Sequence, residues 1–446
     1  GLGEIIMSNA DGEYDHLIGT HAFDGRKVVV RLGAAGAAHD TFGVIFAGQS
    51  QGYSVDGPDF VVELRDFGHL LDVPVCAATY EGTGGIEGPP DLKGRRKPRL
   101  FGYCRNVTPA SLSPSSHQIY QVNDGPVQAI PAAYVRGVKL DLHEDYPTYE
   151  ALEGATVPDG LFATCLAQGL FRVRIVNASE RGQVTADVEG CNAGGYVETT
   201  AGIVRRLASV IEPQASFSTA SFERVEAAVP EPVCIYFAPG SEERVSKAVA
   251  DLMLPLLGWA GFRRNGQFEV GLFRAPEGAP QASFTDIEIL DITREPLPAD
   301  IDPPAWRYRL SFDRNWTVQE ERDLAGVVLE DEERVAWLAE PYRIAQPAED
   351  ERIRVNHLLA QDPEVIETYF VGDAPAGREA LRRLRFFRDA RSLYRMTLKT
   401  QPYTLDLGSE VHVTYPRWDL VDGKGLRVVA IDEDAENNMV VIRAFG

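Results

Sequence analysis

The chain has no apolar run near the roughly eighteen residues that a membrane-spanning helix needs. Its nearest approach, 249–262, is broken by Asp251, Pro255, Gly258 and Gly261. It is short of basic residues: 44 Lys and Arg stand against 66 Asp and Glu, a net charge of −22. Such a chain repels phosphate on average, which excludes tight or base-reading DNA binding. It still permits a passage through which DNA slides without sticking. Cysteine is sparse. Cys76, Cys104, Cys165, Cys191 and Cys234 form no CxxC, and no histidine sits at zinc-finger spacing, so no metal and no cofactor is expected. An odd, scattered set reads as reduced thiols made in a cytoplasm. Catalytic signatures are missing too. None of the eight histidines lies in GxSxG, HExxH or a Cys-His arrangement. The glycines at 82–85 lack the Gly-Lys-Ser/Thr of a phosphate loop and read as a flexible loop. The acidic run at 432–434 is too short and glycine-less for a calcium loop. The acid pairs sit in runs, from which no glycosidase pair can be chosen. The chain opens at Gly1 without methionine and enters an apolar run with no basic flank. It therefore reads as lacking its true start rather than as carrying a signal peptide.

What is present is period-two alternation. Tyr394, Met396 and Leu398 alternate with Arg395, Thr397 and Lys399, and Val411 and Val413 flank His412. Runs at 426–430 and 440–444 follow, with turns expected at Gly408-Ser409, Asp422-Gly423 and Asn437-Asn438. This predicts a compact C-terminal barrel-like module of four strands with no chemistry attached. Further strands are predicted at 28–32, 42–47, 60–64, 119–122, 127–130, 171–176 and 184–188, and a hairpin turning at Asn265-Gly266. The fold class is mainly β with α (α+β), multi-domain, with short helical segments. Length alone gives two to four domains. Composition shifts mark segments 1–78 (β), 79–198 (β-rich, entered by a Gly/Pro-rich loop), 199–295 (α+β), 296–376 (strand plus helix) and 377–446 (helix and barrel). The 296–304 stretch, PLPADIDPP, is the clearest rigid corner.

Helical spacing predicts helices at 200–211, at 241–254 with Ser241 as N-cap, over 318–341, and at 377–390. In the last, Leu381, Leu384 and Phe387 are spaced for a core face. That leaves arginines outward, and Arg378, Arg382, Arg385 and Arg388 are candidates for a subunit interface against carboxylates of a neighbour. The basic run at 95–99 reads as a solvated loop, or one docked on an acidic neighbouring subunit. Three Asn-x-Ser/Thr triplets, at Asn106, Asn177 and Asn315, read as chance matches to the glycosylation pattern.

Four islands of sequence resemble the tail proteins of siphophages and gene-transfer-agent-like particles. The first is the stretch Glu4 to Asp24 with the Gly-Arg that follows it, Glu-Ile-Ile-Met-Ser-Asn-Ala-Asp-Gly … Phe-Asp-Gly-Arg. The second is Lys97-Pro98, Gly102 and Asn106-Val107-Thr108-Pro109. The third is 306–310 with Arg314-Asn315-Trp316-Thr317-Val318-Gln319. The fourth is Gly408, Val411, Tyr415-Pro416-Arg417 and Gly423-Lys424-Gly425. The resemblance implies a trimeric hub at the tail tip, not an enzyme, built from tail-tube-like β-barrel modules. It implies a ring that continues the tail tube, a distal tail protein above it and a central fibre or spike protein below. DNA would be non-specific cargo in the lumen, and the protein would reside in the virion after synthesis in the host cytoplasm. Relatives usually carry sequence before the first island, and some bind an iron-sulfur cluster through grouped cysteines, a grouping absent here. Two alternatives stay open. One is a cell-wall hydrolase or glycosidase fused to tail modules. The other is a receptor binder using Trp306, Trp316 and Trp418.

Overall fold

The structure, a computed structural model, describes residues 3–446 except 114–116, 277, 300, 390, 400–404 and 435–438. It is mainly β, with 36% strand against 24% helix, as the alternations predict. The turn expected at Asn437-Asn438 lies outside the described residues.

The N-terminal sheet has four antiparallel strands in the order Glu4–Ser8, Asp59–Arg65, Gly43–Asp56, Lys27–Leu32. An aromatic group of Tyr14, Phe23, Tyr53 and Phe60 covers part of it, with Tyr53 and Phe60 stacked at 5.2 Å. Ile6 and Val29 stay exposed. Among the described residues, the two outer strands each pair with one neighbour only.

The second sheet has eight strands, in the order Tyr103–Val107, Val184–Cys191, Val127–Val135, Val138–Asp145, Leu161–Cys165, Leu170–Val173, Ile119–Gln121, Ala110–Ser113. Its first and last strands are consecutive in the chain, joined by Thr108 and Pro109 alone. Two residues span only a few ångströms, so the sheet must curl until its edges nearly meet: a barrel whose seam is crossed by the chain itself. Phe162, Phe171, Val188 and Ala186 fill its interior. The strand predicted at 127–130 runs on to Val135. Pro131 lies exposed where the register against Val184–Cys191 shifts, the place in a strand that tolerates proline.

An α+β lobe follows. Helices Thr200–Ala208, Thr219–Ala228 and Val245–Met253 pack on a sheet of Ser216–Phe217, Gln267–Leu272 and Gly258–Phe262. The third helix begins four residues later than predicted: its N-cap is Arg244, while the Ser241 hydroxyl accepts from the Glu243 amide at 3.3 Å in the turn before it. The helix predicted over 318–341 is formed only at Glu332–Ala339, capped by Asp331. Short helices at Tyr149–Gly154, Thr219–Ala228 and Glu351–Asn356 were not foreseen.

The C-terminal sheet has six strands rather than four: Ala282–Phe284, Glu410–Val413, Lys424–Asp434, Met439–Phe445, Leu393–Leu398, Ile289–Glu295. Its edges come from upstream of the proline-rich corner, so 282–295 packs with the last 50-odd residues, and Ile289 and Ile292 join its core. Arg264, at the tip of the 258–272 hairpin, ties this sheet to the α+β lobe through Asp406 at 3.1 Å and Glu433 at 2.6 Å.

Candidate assembly site

The second and third islands meet at the seam of the eight-stranded barrel. Asn106 sits at φ 55°, left-handed backbone that asparagine tolerates better than most residues. Its Nδ2 donates to Asn315 Oδ1 at 2.8 Å, to the Thr317 carbonyl at 2.7 Å and to Gln319 Oε1 at 3.3 Å. The Asn315 amide in turn donates to the carbonyls of Leu338 and Glu340, both at 3.0 Å. Thr108 and Thr317 share a hydroxyl contact at 2.7 Å, and Arg105 pairs with Asp313 at 2.8 Å. Asp187 accepts from the Asn106 amide and from the Tyr134 hydroxyl, each at 2.8 Å. Asn106, Asn315 and Gln319 are buried. A largely buried polar network of this kind favours one geometry, because each bond lost would leave a buried group unpaired. It also keeps the triplets at Asn106 and Asn315 away from solvent. Gly102, in the second island, is equally constrained. At φ 69° a Cβ there would lie 1.9 Å from the Val233 carbonyl oxygen.

The remaining islands also lie at turns. In the first, the Asn9 side chain accepts from the Tyr14 amide and donates to Asp15, both at 2.8 Å, which folds 9–15 over the N-terminal sheet. In the fourth, Tyr415 stacks on Trp418 at 6.2 Å, and Lys424 pairs with Asp419.

The arginine helix spans Asp373–Arg388. It begins four residues before the predicted start, because Gly372 at φ 99° turns the chain and Pro375 fits a first helical turn. Its core stripe is Ala376, Ala380, Leu384 and Phe387, while Leu381 lies outside the stripe, exposed. The four candidate arginines divide. Arg382 donates to the Leu256 carbonyl at 2.8 Å and to buried Glu379 at 2.6 Å. Arg378 pairs with Glu231 at 2.9 Å but keeps an exposed guanidinium. Arg385 and Arg388 are exposed, and Arg388 meets the adjacent Asp389 at 3.3 Å and lowers Asp350 by its charge. Arg383, not singled out from sequence, is buried, donates to the Pro255 carbonyl at 2.6 Å and lies 5.9 Å from the Tyr308 ring.

The basic run at 95–99 is a correction. It is not a freely solvated loop: Arg95 stays exposed, while Arg96, Lys97 and Arg99 dock on their own chain. Arg96 pairs with Glu242 at 2.8 Å and caps the Cys76 carbonyl, Lys97 pairs with Glu87 at 2.7 Å, and Arg99 caps the Val75 carbonyl at 3.0 Å. The glycine-rich loop before it contains 3-10 turns at Gly85–Glu87 and Pro90–Leu92. The three tryptophans lie in separate settings. Trp306 is sandwiched by Arg307 and Arg354 at 4.6 Å each, Trp316 lies between Tyr236 and Tyr369, and Trp418 lies against Tyr394 and Tyr415.

The described cysteines are all buried free thiols. Burial pushes the Cys76 thiol up to about 11 and Cys104 well above its usual range. Hydrogen bonds from Arg352 hold Asp350 down at about 2, and Arg307 holds Asp362 below its usual value. Glu87, Glu150, Glu288 and Asp419 are likewise held below their usual values by hydrogen bonds. Among the described residues no group of three His, Cys, Asp or Glu is placed to hold a metal, and no helix is long and apolar enough to cross a membrane.

No family model and no curated protein matches the chain. It is similar in structure to a chain of the virion of a native gene transfer agent particle, with 13% identity, TM-score 0.49, and 85% of this chain and 91% of that one covered. It is also similar to the tail protein from Neisseria meningitidis MC58, with 12% identity, TM-score 0.33 and coverages of 62% and 74%. The 43 kDa tail protein of prophage MuSo2 from Shewanella oneidensis gives 11% identity, TM-score 0.31 and coverages of 59% and 71%. The structures it resembles thus include a virion chain and two tail proteins.

Proposed function

We propose that the protein is a structural hub of a phage tail tip, a trimer whose ring continues the tail tube and joins it to a central fibre or spike. The observation that carries this is the interlock at the barrel seam. Two islands of the tail-protein resemblance, about two hundred residues apart, are the residues that dock into each other as a buried network. The resemblance therefore rests on groups that fix the fold.

Ring formation has physical support. The outer strands of the N-terminal sheet, Glu4–Ser8 and Lys27–Leu32, carry apolar side chains and an unpaired side each. Closing such edges against neighbouring copies removes the liability they pose in a lone chain. The exposed flank of the arginine helix, Arg378, Arg385 and Arg388, is a second surface suited to carboxylates of a neighbour. A net charge of −22 suits a lumen wall past which DNA slides. A distal tail protein on one side and a fibre or spike protein on the other complete the assembly.

Negative-stain electron microscopy of the concentrated protein tests this. Rings with a stain-filled centre are expected; single particles without a channel would remove the reading.

A further inference from the structure

The C-terminal sheet meets the α+β lobe at two places of different chemistry. One is apolar. The Phe273 and Phe386 rings lie 5.0 and 6.0 Å from the Phe445 ring and 5.5 Å from each other. Phe445 pairs with Leu393, and Leu393 with Glu295. At Glu295 and Leu393 the chain leaves and re-enters the sheet, so two of its crossings are gathered at this end. Arg427, also paired with Phe445, adds a bond to the Arg274 carbonyl at 3.0 Å.

The other place is ionic. It is the Arg264 clamp on Asp406 and Glu433, with Arg263 lying 3.7 Å from Asp406. The Arg264 carbonyl accepts from the Ala47 amide at 2.6 Å, so the N-terminal sheet steadies the hairpin tip. Glu433 pairs with Val440, which is five residues from Phe445 on the same strand. At about 3.3 Å per residue, that puts the two places about 17 Å apart along the sheet. Between them lies an open cavity of about 660 Å³, walled by Trp259 and Leu272 of the lobe and by Leu407 and Glu410 of the sheet. The clamp side chains keep 20–27% of their surface exposed. Salt therefore weakens the clamp, while the phenylalanine contact does not depend on charge.

We infer that the C-terminal sheet is a hinged module, turning on Phe445 and its aromatic partners and held against the lobe by the Arg264 latch. Parting the latch leaves the Phe445 contact and the sheet's own core in place. The cavity gives the module room to move, and its width follows the motion.

Nitroxide labels at Asn265→Cys and Lys399→Cys report the latch end by pulsed electron paramagnetic resonance. Both positions are exposed, whereas the native thiols are buried. Lys399 follows Leu398, the partner of Val440. One short distance is expected at low salt, with a second, longer one appearing at about 1 M sodium chloride. Arg264→Glu turns two attractive pairs into repulsive ones and should raise the longer-distance population about tenfold or more. Arg264→Glu/Asp406→Arg/Glu433→Arg restores opposite charges and should bring back the short distance. A single unchanged distance both in Arg264→Glu and at high salt would overturn the hinge. Failure of the charge swap to restore the short distance would overturn it too. So would loss of hydrogen-exchange protection across Met439–Phe445 in Arg264→Glu, because the latch would then support the sheet's own fold.

Discussion

Replacing Asn106 with alanine should unlock the barrel seam. Asn106 Nδ2 serves three acceptors, of which Asn315 Oδ1 retains another donor, the Thr317 amide at 3.1 Å. The substitution strands the Thr317 carbonyl and Gln319 Oε1 in a buried setting, at about 1–3 kcal/mol for each unpaired group. Alanine also suffers at φ 55°, by about 1 kcal/mol relative to a residue at ease in left-handed backbone. The sum is a loss of about 3–7 kcal/mol. Asn106→Gly removes the same hydrogen bonds but not the backbone ease. Glycine should therefore be the more stable variant by about 1 kcal/mol, the reverse of the usual order in regular structure. Urea unfolding followed by circular dichroism reads both values from the first transition, since a chain of several lobes need not unfold in one step. A cycle with Asn315→Ala should give a coupling of about 1–3 kcal/mol. An Asn106→Ala variant within about 0.5 kcal/mol of wild type, with no coupling to Asn315, would refute the view that this network holds the seam.

Gly102→Ala places a methyl group on the Val233 carbonyl at a left-handed φ and should cost more than about 2 kcal/mol, read as a lowered thermal midpoint. Asp350→Asn tests a pH dependence. The folded carboxyl titrates at about 2 against an ordinary 3.8, so its contribution to stability is full above the ordinary value and disappears as pH falls through the folded one. Wild type and variant should differ at neutral pH and converge near the folded value in acid-titrated melts. Arg385→Glu/Arg388→Glu should weaken assembly and leave the monomer's melting temperature unchanged. Arg382→Glu, which breaks bonds to Leu256 and Glu379, should lower the melting temperature; equal melting losses in both variants would place all these arginines inside the fold.

The strands were legible where burial alternates cleanly. Met396, Leu398, Val411 and Val413 are all buried, and their intervening neighbours are at least partly solvated. Legibility failed where a local signal competes with a distant contact. Pro131 reads as a strand end because nothing local shows that a register shift will accommodate it. Pro375 and Gly377 obscured the first turn of the arginine helix, whose place is set by packing of Ala376 and Ala380 into the main core. The partition of the arginines was invisible for the same reason: the acceptors that claim Arg382 and Arg383 are carbonyls of Leu256 and Pro255, over a hundred residues away. Asn106 and Asn315 stood out as members of separate islands, yet only the fold shows them bonded to each other. Leu358 and Leu359 read as ordinary apolar sequence, yet the structure leaves both exposed.

The most direct test of the central claim is the mass of the purified full chain by light scattering across a wide concentration range. The account predicts conversion to a closed trimer that does not grow further. A monomer at every concentration, or open-ended growth without a limiting size, would contradict it.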